Sequence, residues 1–178
     1  MTASIQPDYA FAVWLTGLPA SGKSTVARAL AKELESRGVD CAVLESDELR
    51  KILTPHPRYD ESEREDFYRQ MAWIGALLVR HGIPVLFDAT AHRRSYREQA
   101  WREIPNFVEV YISCPLEVCM ARDPKGIYGS ATLGGHVPGL QAPYEPPIEP
   151  EVLVHGDRDD PTESAKRILA ALEQKGWV

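Results

Sequence analysis

The stretch FAVWLTGLPASGKST, residues 11–25, joins a short apolar run to a glycine-rich turn. Its second part fits the phosphate-binding loop (P-loop) pattern G-x-x-x-x-G-K-[ST] from Gly17 to Ser24. The apolar run predicts a buried strand before the turn, and apolar residues at helical spacing predict a helix after it. Because the pattern requires both neighbours, this context favours a phosphate site over a chance glycine-rich turn.

The residues of this loop have separate predicted roles. Its glycines let successive backbone N–H groups point at phosphate oxygens, and the helix N-terminus adds its dipole. We expect Lys23 to neutralise the β- and γ-phosphates and the Ser24 hydroxyl to ligate Mg²⁺. The predicted nucleotide-binding residues of the loop are Gly17, Leu18, Pro19, Ala20, Ser21, Gly22, Lys23, Ser24 and Thr25. The loop predicts bound ATP or GTP with Mg²⁺, but kinases, switch GTPases and motor ATPases all share it.

The rest of the chain alternates short apolar runs with amphipathic helical patterns. The runs occupy residues 11–16, 41–46, 83–88, 107–113 and 151–155. They predict a three-layer α/β/α fold of the nucleotide-kinase-like P-loop NTPase class, with a mainly parallel five-stranded sheet. The helical patterns cover residues 23–37 and 62–81, and a last helix is expected after Asp160 as N-cap.

We predict one domain over residues 1–178, with a flexible tail at residues 1–8. Residues 123–150 hold six prolines and five glycines without a period, which is typical of a functional loop, and we expect a lid there rather than a plain surface loop. The net charge of −6 argues against a nucleic-acid or membrane partner. No apolar stretch of 18 residues and no signal-peptide pattern is present, so we expect a cytoplasmic protein. A small-molecule acceptor stays possible, because a local cluster of arginines can outweigh the negative charge of the whole chain.

Charged residues follow the ends of three predicted strands, where an open α/β sheet binds its ligands. Asp47 follows the second strand and is the predicted catalytic base, with helix N-cap as the alternative role. Asp88 ends the third strand and is the predicted second metal ligand, with a helix cap as the alternative. We also expect these charged side chains at the rim: Arg50, Arg93, Arg94, Arg97, Arg122, Asp123 and Lys125. The charged stretch 59–70 favours a solvated helix face, and His56 and His92 are predicted to be surface residues.

Beyond the P-loop, five segments carry a more specific resemblance: FAVWLTGLPASGKSTVA, LESDELR, FVEVYISCPLEVCMARDPKG, RDPKGIYGSA and PYEPPIEPEVLV. The chain resembles adenylyl-sulfate (APS) kinases over about residues 11 to 173. The resemblance implies transfer of the ATP γ-phosphate to the 3′-hydroxyl of adenosine 5′-phosphosulfate (APS), giving PAPS. It also implies a role for Asp47 as catalytic residue and, by analogy, a homodimer. The residues that it assigns to the acceptor are Arg50, Arg64, Lys125 and Gly126. Arg122, which follows the fourth predicted strand, is a predicted nucleotide-binding residue.

The chain departs from this family at several positions. The family's D-G-D motif reads ESD here, so that Glu45 and Ser46 replace its first two residues, and the phosphorylatable serine of the family is Ala91. An acceptor-side asparagine falls on Phe67, which we predict either to contact the acceptor or to pack in the core. The acceptor therefore stays open between APS and another hydroxyl compound, such as a modified nucleotide, polyol or sugar. A nucleotide-gated switch is the distant alternative, against which the absence of an N-K-x-D motif argues.

Overall fold

The computed structural model describes residues 10–130 and 136–178, so the predicted tail at residues 1–8 lies outside it. The strands are β1 (Ala12–Thr16), β2 (Ala42–Glu45), β3 (Val85–Asp88), β4 (Phe107–Ser113) and β5 (Val152–His155). The helices are α1 (Lys23–Ser36), α2 (Ser46–Leu53), α3 (Glu61–Arg80), α4 (Arg94–Glu103), α5 (Leu116–Arg122) and α6 (Pro161–Gln174). The predicted strands and helices are confirmed, with bounds that differ by two residues or fewer.

All five strands are parallel and lie in the order β2-β3-β1-β4-β5. The P-loop strand β1 is central and wholly buried, which explains its continuous apolar sequence. Register places Asp88 of β3 between Leu15 of β1 and Glu45 of β2. The carboxyl ends of these strands therefore bring the P-loop, Asp88 and the start of α2 to one edge of the sheet.

Helices cover both faces of the sheet and complete the predicted three layers. One core cluster packs α1 and α6 on one face, and a second packs α3 and α4 on the other. The Asp160 carboxylate caps α6 by accepting from the N–H groups of Thr162 (2.8 Å) and Glu163 (3.2 Å), as predicted. Across residues 10–130 and 136–178, no helix is both long and apolar enough to cross a lipid bilayer.

Candidate active site

The P-loop makes its turn between β1 and α1 with the backbone in a conformation that favours glycine. Gly22 has φ of 106° and forms the N-cap of α1. Close packing holds the loop from behind, because a Cβ on Gly156, just after β5, would lie 1.9 Å from the carbonyl oxygen of Ser21. The loop is therefore fixed by the end of β5 as well as by its own strand and helix.

The Lys23 side chain is buried within this loop. Its Nζ donates to the carbonyl oxygens of Leu18 (2.8 Å) and Gly17 (3.2 Å). Burial lowers the pKa of Lys23, and the nearby carboxylates of Asp88 and Asp47 oppose that shift. The ammonium thus lies between the loop and two acidic groups, in the position for a charge that meets the phosphates of a nucleotide.

A first cavity of about 590 Å³ opens over the P-loop. Six of the predicted loop residues line it, whereas Gly17, Leu18 and Ser21 do not. It is also lined by Glu45, Asp47, Asp88, Arg122 and Lys125. The predicted meeting of several strand-end segments at one rim is confirmed for these residues.

Asp47 stands on the first turn of α2, where its carboxylate accepts from Lys125 Nζ at 2.5 Å. This hydrogen bond raises the pKa of Lys125. The N-cap of α2 is Glu45, so the alternative role of Asp47 as that cap is wrong. Asp47 and Lys125 also line a second cavity, and their pair forms the wall that the two cavities share.

Asp88 is buried at the end of β3 and faces the first cavity together with Ser24. Helix α4 begins six residues later with Arg93 as its N-cap, so the alternative role of Asp88 as a helix cap is wrong. Within the described ranges, its carboxylate forms no hydrogen bond or ion pair. No group of three or more His, Cys, Asp or Glu residues is assembled there as a metal cage. A hydroxyl and one carboxylate fit Mg²⁺, which takes few protein ligands and completes its shell with phosphate and water oxygens.

The second cavity, of about 430 Å³, lies between α2 and the segment before α3. Arg50 lines it with a side chain that is 12% exposed, and its Nη1 lies 3.4 Å from Glu63 Oε1. Tyr59 lines the opposite side, with a φ of 59° that is unusual for a tyrosine. Tyr59 was not predicted as a site residue, and it directly precedes Asp60, the N-cap of α3.

Arg64 and Phe67, both predicted to bind substrate, line neither cavity. Arg64 is 8% exposed and donates to Tyr59 O (2.9 Å) and His136 O (2.7 Å), so it joins Tyr59, which lines the second cavity, to His136. Burial lowers the pKa of this guanidinium. Phe67 is 0% exposed and packs in the core beneath Arg50, so the prediction that its ring contacts the acceptor is wrong and core packing is the outcome.

His92 was predicted to be a surface residue, and this prediction is wrong. Its ring is 6% exposed and its Nδ1 lies 3.3 Å from Nη1 of Arg64. Burial, followed by the charge of Arg64, lowers the pKa of His92 to about 4. The helix face predicted to be solvated is likewise divided, since Arg64, Phe67 and Tyr68 of α3 are buried.

The three arginines after β3 do not reach the first cavity, contrary to prediction. Arg97 is 2% exposed and pairs with Glu109 at 2.5 Å, and Arg93 pairs with Glu61. Arg97 also donates to the carbonyl of Glu145 and Arg94 to that of Pro146. Since Arg64 donates to His136 O, arginines thus hold both ends of segment 136–146, which contains no Asp, Glu, Lys or Arg before Glu145.

A tight turn carries Lys125 to the shared wall. The Asp123 carboxylate accepts from the N–H groups of Ile127 (2.7 Å) and Tyr128 (3.0 Å), and Gly126 has φ of 64°. Gly126 was predicted to bind substrate, but it lines neither cavity and instead allows the turn to form. The predicted lid, residues 123–150, includes this turn. Residues 131–135 of the predicted lid lie outside the described ranges.

The cavity over the P-loop and the second cavity, which Arg50 lines, meet at the carboxylate of Asp47. This arrangement suits the transfer of a phosphoryl group between two bound substrates better than it suits a nucleotide switch. The chain is a P-loop kinase, a phosphotransferase. The sequence profile of the adenylylsulphate kinase family matches residues 9–155, and the chain belongs to that family.

Known relatives agree over nearly the whole chain. The adenylyl-sulfate kinase of Gloeothece citriformis is 39% identical over 168 residues, which are 93% of this chain and 96% of the relative. The adenylyl-sulfate kinase of Microcystis aeruginosa is 38% identical over 168 residues, 93% of each chain. The structure of the Mycobacterium tuberculosis APS kinase CysC in complex with AMPPNP and APS superposes with a TM-score of 0.85 at 33% identity, covering 92% of this chain and 98% of that one.

Proposed function

We propose that this protein transfers the γ-phosphate of ATP to the 3′-hydroxyl of adenosine 5′-phosphosulfate, giving PAPS and ADP. The observation that carries the proposal is the Asp47–Lys125 pair in the wall shared by the two cavities. A group in that wall can contact the attacking hydroxyl of one substrate beside the γ-phosphate of the other. The APS-bound relative supports the choice of acceptor.

The first cavity is proposed to hold ATP. Lys23 would exchange its bonds to the loop carbonyls for bonds to phosphate oxygens, and Arg122 would flank the nucleotide from the end of α5. Ser24 and Asp88 would hold Mg²⁺, which neutralises phosphate charge when bound. Lys23→Ala is expected to abolish transfer to any acceptor, with retained transfer arguing against this assignment.

The second cavity is proposed to hold the acceptor. The Asp47 carboxylate accepts the proton of the 3′-hydroxyl as the 3′-oxygen of the acceptor bonds to the γ-phosphorus. The bond from that phosphorus to the β,γ-bridging oxygen breaks at the same time, and ADP is released. Lys125 keeps this carboxylate in place through its 2.5 Å contact. Arg50 offers positive charge to the phosphosulfate of the acceptor.

The acceptor is tested by measuring ADP release with ATP and Mg²⁺ in the presence of APS and of a panel of nucleotides, polyols and sugars. We expect APS to give the largest kcat/KM and PAPS to be the product by chromatography. If APS gave no PAPS while a panel compound turned over well, the assignment to APS would be wrong, although the chain would still be a kinase.

The two aspartates are separated by a magnesium titration of their asparagine variants. Asp47→Asn should lower kcat by about 10²-fold or more, as loss of a positioned base does, with the Mg²⁺ requirement unchanged. Asp88→Asn should instead shift the activity curve to higher Mg²⁺ concentration. Normal turnover of Asp47→Asn would transfer the role of base to Asp88.

The homodimer implied by the family also stays a proposal. Light scattering of the purified chain at assay concentrations decides it, with twice the monomer mass expected.

A further inference from the structure

The Phe67 ring lies directly beneath the Arg50 guanidinium. The guanidinium carbon is 3.9 Å from the ring centroid, whereas it is 5.3 Å from that of Tyr59 and 5.8 Å from that of Tyr68. Phe67 has no exposed surface and Arg50 keeps 12% of its side chain exposed. The ring therefore covers one side of the guanidinium, while Arg50 also lines the second cavity.

The remaining partner of Arg50 holds it loosely. Glu63 lies 3.4 Å from Arg50, and its oxygens also accept from the backbone N–H groups of Arg58 (2.5 Å) and Tyr59 (3.3 Å). A ring face, unlike a carboxylate or an amide, orients a guanidinium without occupying the N–H groups at its edge. Those N–H groups are the ones that bind an anion in a bidentate manner.

We propose that Phe67 is a positioning residue for the acceptor: its buried ring fixes the plane of Arg50 so that the guanidinium edge faces the anion of the bound acceptor. The inference rests on the proposed function for the identity of that anion. Phe67 itself does not touch the substrate, so its influence passes entirely through Arg50. An aliphatic core residue would fill the space without setting the plane of the guanidinium.

The test is a double-mutant cycle on the full chain. Phe67→Leu is compared in the wild-type and Arg50→Gln backgrounds, with kcat and KM measured for APS and for ATP. In the wild-type background, loss of the stack is expected to raise KM for APS by about tenfold, with kcat and KM for ATP changed less than about twofold. In the Arg50→Gln background the same change should alter kcat/KM for APS by less than about twofold, because no guanidinium remains to orient.

Phe11→Leu is the matched control. Phe11, like Phe67, is 0% exposed, but it lies in the other core cluster, away from Arg50. It should lower the unfolding temperature like Phe67→Leu and leave KM for APS unchanged. If Phe67→Leu does not unfold cooperatively, Phe67→Met, which fills more of the ring volume, takes its place.

Equal losses from Phe67→Leu in both backgrounds, or an unchanged KM for APS, would overturn the proposal, because the ring would then act by packing alone. A wild-type protein inactive on APS would refute the proposed acceptor instead. In that case the cycle is run with the compound of the panel that turns over. Unfolding of the same single and double variants also measures the coupling free energy between Phe67 and Arg50 without any acceptor.

Discussion

Lowering the pH should destabilise the fold through His92. Its Nδ1 faces a guanidinium, which can only donate, so His92 is neutral in the fold with this nitrogen as acceptor. The charged groups that act on the ring are Arg64, Arg50 and Arg97, which disfavour its protonation, and Glu145, which favours it. Burial and the nearest guanidinium dominate, so the folded state resists the proton that the unfolded chain takes up freely.

The magnitude follows from the two pKa values. The pKa of His92 falls from its ordinary 6.5 to about 4 in the fold. Because the folded value is the lower one, no penalty exists above the unfolded pKa, and stability is lost as the pH falls from about 6.5 toward 4. For one such group the free energy of unfolding should be about 2 kcal/mol lower at pH 5 than at pH 7.

The assay is urea unfolding of the wild type and of His92→Asn between pH 7 and 5. The asparagine keeps an oxygen acceptor for Arg64 but does not titrate, so the difference between the two proteins removes the contribution of all other groups. The wild type should lose about 2 kcal/mol more than the variant over this range. Parallel pH curves for the two proteins would refute the assignment of a neutral, buried His92.

Three further outcomes follow from close contacts. Gly156→Ala places a methyl group 1.9 Å from the carbonyl of Ser21, so the P-loop must shift, and we expect KM for ATP to rise about tenfold or more in steady-state kinetics. Gly75→Ala drives a methyl group into the Phe87 ring, 2.1 Å from its Cζ, and should cost about 1–3 kcal/mol in urea unfolding. Asp160→Ala removes the cap of α6 and should cost about 1 kcal/mol in the same assay, with kinetics unchanged. Wild-type stability of Gly75→Ala or of Asp160→Ala would contradict the contact that each variant tests. Unchanged ATP kinetics of Gly156→Ala would contradict the contact between Gly156 and Ser21.

The fold and the centre of the site were predictable because they depend on local patterns and one topological rule. Short apolar runs gave parallel strands, and the carboxyl ends of such strands share an edge of the sheet. That rule places Asp47 and Asp88 together, whereas Lys125 reaches them through the turn that follows α5.

The surroundings of the acceptor were not predictable in the same way. The roles of Arg64 and Arg97 depend on which carbonyl oxygens of distant segments lie near them, and sequence patterns do not specify such contacts. His92 was placed on the surface because loop histidines usually are exposed, whereas here it packs on Tyr96 at a centroid distance of 5.5 Å. The burial of Phe67 was one of its two predicted outcomes, since Phe67 and Met71 share one apolar face of α3 by their spacing.

Because arginines bind both ends of segment 136–146, the residues between those ends can be exchanged for another sequence. Because its termini are fixed by backbone carbonyls, any chain that closes the same span can in principle be grafted between them. Closure entropy grows only slowly with length, by about 0.6 kcal/mol for each doubling. Evolution, or an engineer, can thus rebuild this segment while the sheet and the P-loop stay as they are.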